Sequence, residues 1–315
     1  MLDTVIIGSG PAGLAAAIYA SRAALNYVVL EKAGYSGGQI VTTNDLDNYP
    51  GMPNIDGASF SMALQEHAEK LGAEIKEATV TAIKQNEDNS YTVEIEGQEP
   101  ILTKSVVLAT GANPRTLNVP GEQQYLSRGV YYCATCDGAF YRNKTTAVIG
   151  GGNTALEDVL FLAKICEKVY LIHRRDELRG DKHSQEKIFA MPNVEFGIAK
   201  IFSWECVKSA LPKSIKGDKK VSAIEIEYKK TGEIVDIPVD GIFVAVGMIP
   251  NNQLVPDFVN TDDAGYVIAD ETGKTNAKGF FVAGDLRTKD LRQVLTAASD
   301  GANAIKSVTD YLNEI

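Results

Sequence analysis

The chain has 315 residues, with 31 Lys+Arg against 41 Asp+Glu, a formal net charge of −10 and a pI near 5.0. That balance argues against a nucleic-acid backbone binder or a polybasic membrane-surface protein, because both need a positive field. No apolar run nears the roughly 20 residues of a membrane-spanning helix. The first residues carry no basic leader, and four cysteines are too few for a secreted disulfide framework. The expectation is a cytoplasmic enzyme of about two domains.

In chain order, Val5-Ile6-Ile7 predicts a buried strand running into Gly8-Ser9-Gly10-Pro11-Ala12-Gly13. An alanine-rich helix to about Leu25 follows, then a second strand, Val28-Val29-Leu30, ending at Glu31. Gly8 permits the tight turn, Gly10 lets backbone approach a pyrophosphate, and Gly13 lets the helix pack on the strand. The helix N-terminus then faces the phosphates. Glu31 follows Gly13 at close to the roughly 20-residue spacing of the acid that holds an adenosine ribose. Further on, Tyr91, Val93 and Ile95 alternate with polar residues and predict a hairpin strand, and residues 106–111 predict a buried strand ending in Thr110-Gly111.

Cys133-Ala134-Thr135-Cys136 brings two sulfurs within one helical turn, where a helix N-terminus lowers a thiolate pKa. A structural zinc site would need a second cysteine pair or paired histidines, and His67, His173 and His183 do not supply them. No metal is expected. Cys166 and Cys206 stand alone and read as small buried hydrophobes, Cys166 on a helix.

The opening pattern then recurs. Ala147-Val148-Ile149 leads into Gly150-Gly151-Gly152-Asn153-Thr154-Ala155, a helix through Leu162 and a strand over 169–172. His173 takes the place that Glu31 has in the first unit, followed by Arg174, Arg175 and Arg179. A carboxylate there would repel a ribose 2′-phosphate, whereas arginines pair with it. The first site therefore reads as FAD and the second as NADPH, and two dinucleotide sites in one chain imply electron transfer between them. Residues 213–220 read as a solvated basic loop. Ile224, Ile226 and Tyr228 predict one face of an antiparallel strand, with a turn at 229–233 and another strand beyond. Residues 242–247 and 280–285 predict buried strands, the latter ending in Gly284-Asp285.

In this order the motifs resemble those of the bacterial-type low-molecular-weight thioredoxin reductases, class II members of the pyridine nucleotide-disulfide oxidoreductase family. The resemblance rests on Cys133-Ala134-Thr135-Cys136-Asp137-Gly138, the first glycine turn, Gly37-Gly38-Gln39, Ala109-Thr110-Gly111, the His-Arg-Arg run to Arg179, and Gly284-Asp285 followed by Arg292-Gln293. It implies an α/β fold of two Rossmann-like three-layer nucleotide-binding domains, with the NADPH domain inserted into the FAD domain. The implied division is 1–114 and 246–315 for FAD and 115–245 for NADPH, with hinge crossings near Pro114 and Val246. For FAD it implies Gly8 to Gly13, Glu31 on the ribose, Gly37, Gly38 and Gln39 near pyrophosphate and flavin, and Asn48 beside the ring. Asp285 would hold the ribityl–phosphate region, and Arg292, Gln293 and Val294 would approach the ring from a helix N-terminus. Lys32, Val80, Thr110, Gly111, Ala112 and Gly284 complete that set. For NADPH it implies Gly150, Gly152, Asn153, Thr154, Ala155, His173, Arg174, Arg175 and Arg179.

The implied reaction passes a hydride from NADPH to FAD, then reduces the Cys133–Cys136 disulfide, whose dithiol reduces oxidised thioredoxin. Cys136 would face the flavin and Cys133 attack the partner. Asp137 would protonate the departing thiolate, a role compatible with capping the following turn. Arg128 and Phe140 would meet thioredoxin, and Ala139 stands where many members carry a second aromatic. The family implies a homodimer. Competing readings are a different disulfide partner, ferredoxin as electron donor, or a flavin-bound redox sensor; the second glycine turn and its arginines argue against ferredoxin.

Overall fold

A computed structural model describes residues 1–43, 46, 48–196 and 209–315; Cys206 lies outside the described residues. Among these, the α-helices are α1 (Pro11–Arg22), α2 (Gly57–Lys70), α3 (Ala134–Asp137), α4 (Asn153–Leu162), α5 (Lys182–Phe189) and α6 (Val294–Glu314). None is long and apolar enough to cross a membrane. The chain divides into two compact units, Met1–Asn113 with Ile249–Ile315, and Pro114–Met248.

The first unit is built on a parallel sheet. Its strand order is Phe280–Val282, Val106–Leu108, Thr4–Ile7, Tyr27–Glu31, Ile75–Glu77. The apolar runs seen in the sequence are buried on both faces, as a parallel sheet requires. Alternate residues divide between two cores. Val5, Ile7, Val28, Leu30, Val106 and Leu108 pack against the antiparallel strands Val80–Gln85, Tyr91–Ile95 and Ile101–Thr103. Ile6, Val29, Val107 and Phe281 pack on the other face with residues of α1 and α6. The alanines of α1 allow that helix to lie close to α6, and a Cβ added at Gly301 of α6 would run into the Ala12 carbonyl. Gly301→Val is therefore expected to destabilise the chain by about 1–3 kcal/mol, read as a lower thermal midpoint. The helix ends at Arg22 rather than near Leu25, because Ala24 turns left-handed at φ 54°.

The second unit repeats the plan. Its parallel sheet runs Val194–Phe196, Lys168–Ile172, Thr145–Gly150, Gly241–Ala245, Val130–Tyr131. Val148, Val169, Leu171 and Phe243 face residues of α3, α4 and α5. Ala147, Ile149, Ile172, Ile242 and Val244 face the antiparallel strands Ala210–Gly217, Val221–Tyr228 and Ile234–Pro238. The expected three-layer α/β architecture is thus present twice.

Two local expectations are corrected. Residues 213–217 are not a solvated loop; they belong to strand Ala210–Gly217, where Ile215 enters the core. The lysines that suggested solvation find carboxylates in the same sheet: Lys213 pairs with Glu227 of the neighbouring strand at 2.9 Å, and Lys216 with Glu225 of that strand and with Asp236 of the strand beyond it at 2.8 Å. Cys166 is buried, but it sits in the turn after α4 rather than on a helix.

Candidate active site

In the first unit the sequence-selected residues gather at the carboxyl ends of the parallel strands, beside the strand-order switch at Thr4–Ile7, where open α/β sheets take their ligands. Gly8 turns the chain at φ 101°, and Gly13 lies so close to the Gly8 carbonyl that a Cβ would not fit. Gly10 is the N-cap of α1 and Pro11 opens it, so the amides of Ala12 and Gly13 start the helix without a side-chain cap. Ser9 is fully buried, and its amide and hydroxyl both donate to Glu31 Oε2 at 2.7 Å. The Ala33 amide donates to Oε1 at 2.9 Å. These three bonds fix the Glu31 side chain in place with acceptor capacity left over, and it lines a cleft with Ala33, Tyr35, Gln65 and Glu77. Lys32 points to solvent, and Val80 is buried at the start of its strand.

The later segments converge on the same edge. Gln39 donates to the Ala112 carbonyl through Nε2, linking the Gly37-Gly38 turn to residues 110–112. Asn48 Nδ2 donates to Gln293 Oε1 at 2.8 Å, joining residues far apart in the chain. Gln293 caps α6 reciprocally with Thr296, and Val294 is the first residue of that helix. Arg292 holds backbone carbonyls of Lys289 and Arg287 and lies 4.1 Å from the Tyr266 ring centroid. Thr110 and Asn251 exchange bonds, Thr110 Oγ1 to the Asn251 carbonyl at 2.7 Å and Asn251 Nδ2 to the Thr110 carbonyl at 2.8 Å.

Gly284 turns at φ 78° to present Asp285, whose Oδ1 is buried without a hydrogen-bond partner. Burial raises the Asp285 pKa, and the charges of Lys289 and Arg292 pull it back down. A buried acceptor without a donor at this edge fits a hydroxylated cofactor chain. Behind it, Asp300 accepts from the Gly284 amide at 3.0 Å and from Arg287 Nη2 and Lys289 Nζ at 2.7 Å each. Sequence reading passed over Asn251 and this ionic cluster, because isolated polar residues between motifs carry no spacing signal.

In the second unit, Gly152 caps α4 and a Cβ there would meet nothing within 4 Å, so the amides of Asn153, Thr154 and Ala155 begin the helix beside an approachable backbone. Asn153 Oδ1 accepts from the Asp181 amide, and Thr154 is exposed. Gly150 has no room for a side chain, its Cβ position falling 2.7 Å from Ala155 Cβ. His173 follows the strand at the position matching Glu31, yet it is buried against Gly151 and its Nε2 has no partner. Burial and the three neighbouring arginines hold its pKa down, and a hydrogen bond with the Glu177 backbone opposes them. Arg174, Arg175 and Arg179 are exposed and form no ion pair among the described residues; the nearby Asp176 pairs instead with Lys230. The guanidiniums are thus available to an anion.

The same unit carries a Cys133–Cys136 disulfide, with Cα atoms 5.3 Å apart. Cys133 is the N-cap of the short helix α3, and its sulfur lies 3.4 Å from Thr135 Oγ1. Asp137 ends α3, buried, and its charge helps raise the pKa values of Tyr131 and Tyr141, for which burial is the larger cause. Its side chain does not cap the following 3₁₀ turn. Arg128, Ala139 and Phe140 are exposed around this segment. Tyr132, next to Cys133, donates at 2.9 Å to the buried Glu122, which also accepts from the amides of Leu117 and Asn118 at 2.8 Å. Sequence reading missed Glu122, since one acid in a Pro-Gly-Glu turn looks solvated.

Two dinucleotide-type sites and a redox disulfide in one chain define a class, and residues 2–301 match the family described as pyridine nucleotide-disulphide oxidoreductase. A thioredoxin reductase of Treponema pallidum (strain Nichols) is 38% identical, with 99% of this chain and 98% of that protein aligned. One of Peptoclostridium acidaminophilum is 41% identical over 98% and 96%. The crystal structure of thioredoxin reductase from Streptococcus pyogenes MGAS5005 superposes with a TM-score of 0.91 at 41% identity, covering 100% of this chain and 99% of that one. The chain belongs to the pyridine nucleotide-disulphide oxidoreductases and, among them, to the low-molecular-weight thioredoxin reductases.

Proposed function

We propose that this oxidoreductase moves electrons from NADPH through FAD and the Cys133–Cys136 pair to the disulfide of oxidised thioredoxin. The observation that carries the reading is the Cys133–Cys136 disulfide on a helix that ends in a buried aspartate, in a unit with its own dinucleotide turn. In the first unit, Glu31, the amides at the start of α1, Gln39, Asn48, Asp285 and the Arg292–Val294 turn would hold FAD. In the second, the start of α4 and Arg174, Arg175 and Arg179 would hold NADPH by its phosphates. When bound, FAD supplies a two-electron carrier between nicotinamide and disulfide.

The chain's own part is the thiol chemistry. Two electrons break the S–S bond and leave Cys133 and Cys136 reduced. Cys133 as thiolate attacks one sulfur of the thioredoxin disulfide, the other sulfur leaves, and Cys136 displaces Cys133's new partner to restore the original bond. Asp137 carries the proton delivered to a departing sulfur. Arg128 and Phe140 offer the partner a cation and an apolar contact beside the cysteines. The proposed assembly is a cytoplasmic homodimer, checked by sedimentation of the purified protein.

The test is anaerobic. Purified flavin-loaded protein is mixed with NADPH or NADH, flavin bleaching is followed, and oxidised thioredoxin is added. Fast bleaching by NADPH and return of colour with thioredoxin are expected. Bleaching without return would reject thioredoxin as the acceptor, and no bleaching by either nucleotide would reject the donor. The donor assignment makes a further prediction: replacing both Arg174 and Arg175 by Ala should raise KM for NADPH by about a hundredfold or more while leaving NADH use little changed. Each charge-assisted bond to phosphate contributes about 1.5–3 kcal/mol, and about 1.4 kcal/mol is tenfold in affinity.

A further inference from the structure

We propose that Asp158 is a positioning residue for the Cys133–Cys136 pair, holding the backbone that follows Cys133 and opposing, through its negative charge, thiolate formation in the reduced pair. The inference rests on the reading of that pair as the redox centre. Helix α3 is only four residues long and has no side-chain cap, so its placement depends on what lies beneath it. That floor is α4. Ala134 shares a core with Leu156, Val159 and Leu162, and a Cβ at Gly138 would come within 2.9 Å of both Phe161 and Leu162. The buried face of α4 consists of Ala155, Leu156, Asp158, Val159 and Leu162, in which Asp158 is the one charged group. It accepts a hydrogen bond from the Ala134 amide, the first N–H after Cys133.

Burial pushes the Asp158 carboxyl up to about 7, the charge of Glu157 adds to this, and the Ala134 amide opposes both. The elements packed on α4 bring Asp137 from α3, Lys168 and Tyr170 from the 168–172 strand, and Lys182, His183, Glu186 and Lys187 from α5. The 145–150 and 241–245 strands bring no ionisable side chain. Among the described residues, Glu157 is the charge that bears on Asp158. A carboxylate so placed is present above neutral pH and absent well below it. When present it raises the cost of a thiolate beside it, so the reduced pair stays protonated until a partner arrives.

The test uses flavin-loaded D158N and the native chain, both reduced with dithiothreitol, so the outcome does not depend on NADPH as donor. The rate of Cys133 alkylation by iodoacetamide is followed across pH, and the dithiol-to-disulfide ratio is measured in dithiothreitol redox buffers. At about pH 8, D158N is expected to react several-fold faster and to shift the ratio about tenfold toward the dithiol, equivalent to about 30 mV. At about pH 5.5 the two proteins should converge, because native Asp158 is then neutral. Since burial disfavours the charged carboxylate, the amide should be at least as well tolerated by the fold. Equal behaviour of the two proteins at both pH values would overturn the proposal, as would a difference that does not change with pH. Should D158N not fold, the native chain decides: its alkylation profile must show an inflection near pH 7 besides that of the thiol, and a single-step profile rejects the role. Failure of the redox-centre reading would look different, as a native chain in which NADPH generates no new thiols.

Discussion

Cys136→Ser is expected to lower NADPH-dependent reduction of thioredoxin by about a thousandfold or more while NADPH still bleaches the flavin. The loss follows from the electron path. With one sulfur gone no disulfide can form at residues 133–136, so the two electrons have no stopping place between flavin and partner. Residues acting as one unit also lose nearly all activity when any member is removed. Cys133→Ser should block turnover equally, but the two variants separate the roles. Cys136→Ser retains the proposed attacking thiol and should be trapped as a mixed disulfide by a single-cysteine thioredoxin activated with thionitrobenzoate, whose thiol is the group that leaves. Cys133→Ser should trap none. The measurement is a non-reducing gel together with steady-state turnover; full turnover in either variant would remove the pair from the mechanism. Asp137→Asn belongs to the same series and is expected to slow turnover by about a hundredfold, the usual worth of a proton-transfer group.

What the sequence disclosed of this site is what depends on backbone. Gly8, Gly13 and Gly150 are legible because glycine at a fixed place after an apolar strand marks a close approach of backbone, and in each case a Cβ would strike a neighbour. Glu31 and the arginines after His173 are legible from their offset past a glycine turn. The strands of both sheets are legible too, since burial on two faces leaves uninterrupted Val, Ile and Phe. The basic run at 213–220 misled because its charge masks its alternation; Ile215 between lysines carries the strand signal, and the carboxylates that accept those lysines come from other strands. Buried acids are the systematic omission. Glu122 accepts from a turn just before it and from Tyr132, Asp158 follows Glu157 on a helix where both look solvated, and Asp300 sits in a Ser-Asp-Gly stretch. Their partners are set by packing between segments, and no periodicity in one sequence records that.

Asp300 is also the residue whose loss should cost the first unit most. It is 3% exposed and neutralises Arg287 and Lys289, whose side chains are each 4% exposed, while fixing the Gly284 amide. Asp300→Ala would leave two buried cations with little nearby compensation: Glu271 lies 3.7 Å from Arg287 but is exposed, and Asp285 lies 4.0 Å from Lys289. Removing one partner of a buried ionic cluster costs about 3–5 kcal/mol, because the remaining charge has neither water nor counter-ion. A fall of that size is more than a hundredfold in the folding equilibrium, read as a clearly lower thermal midpoint. The cofactor edge should suffer in parallel. Freed of Asp300, Lys289 has Asp285 as its nearest acid and would close on the Oδ1 that otherwise has no hydrogen-bond partner, so FAD content per chain should fall as well. Asp300→Asn keeps an acceptor for the Gly284 amide without the charge and should fall between the two. If Asp300→Ala kept both its midpoint and its flavin, the cluster would be a bystander, and the position of Asp285 would have to be set by the Gly284 turn and its packing on Ala12 and α6 alone.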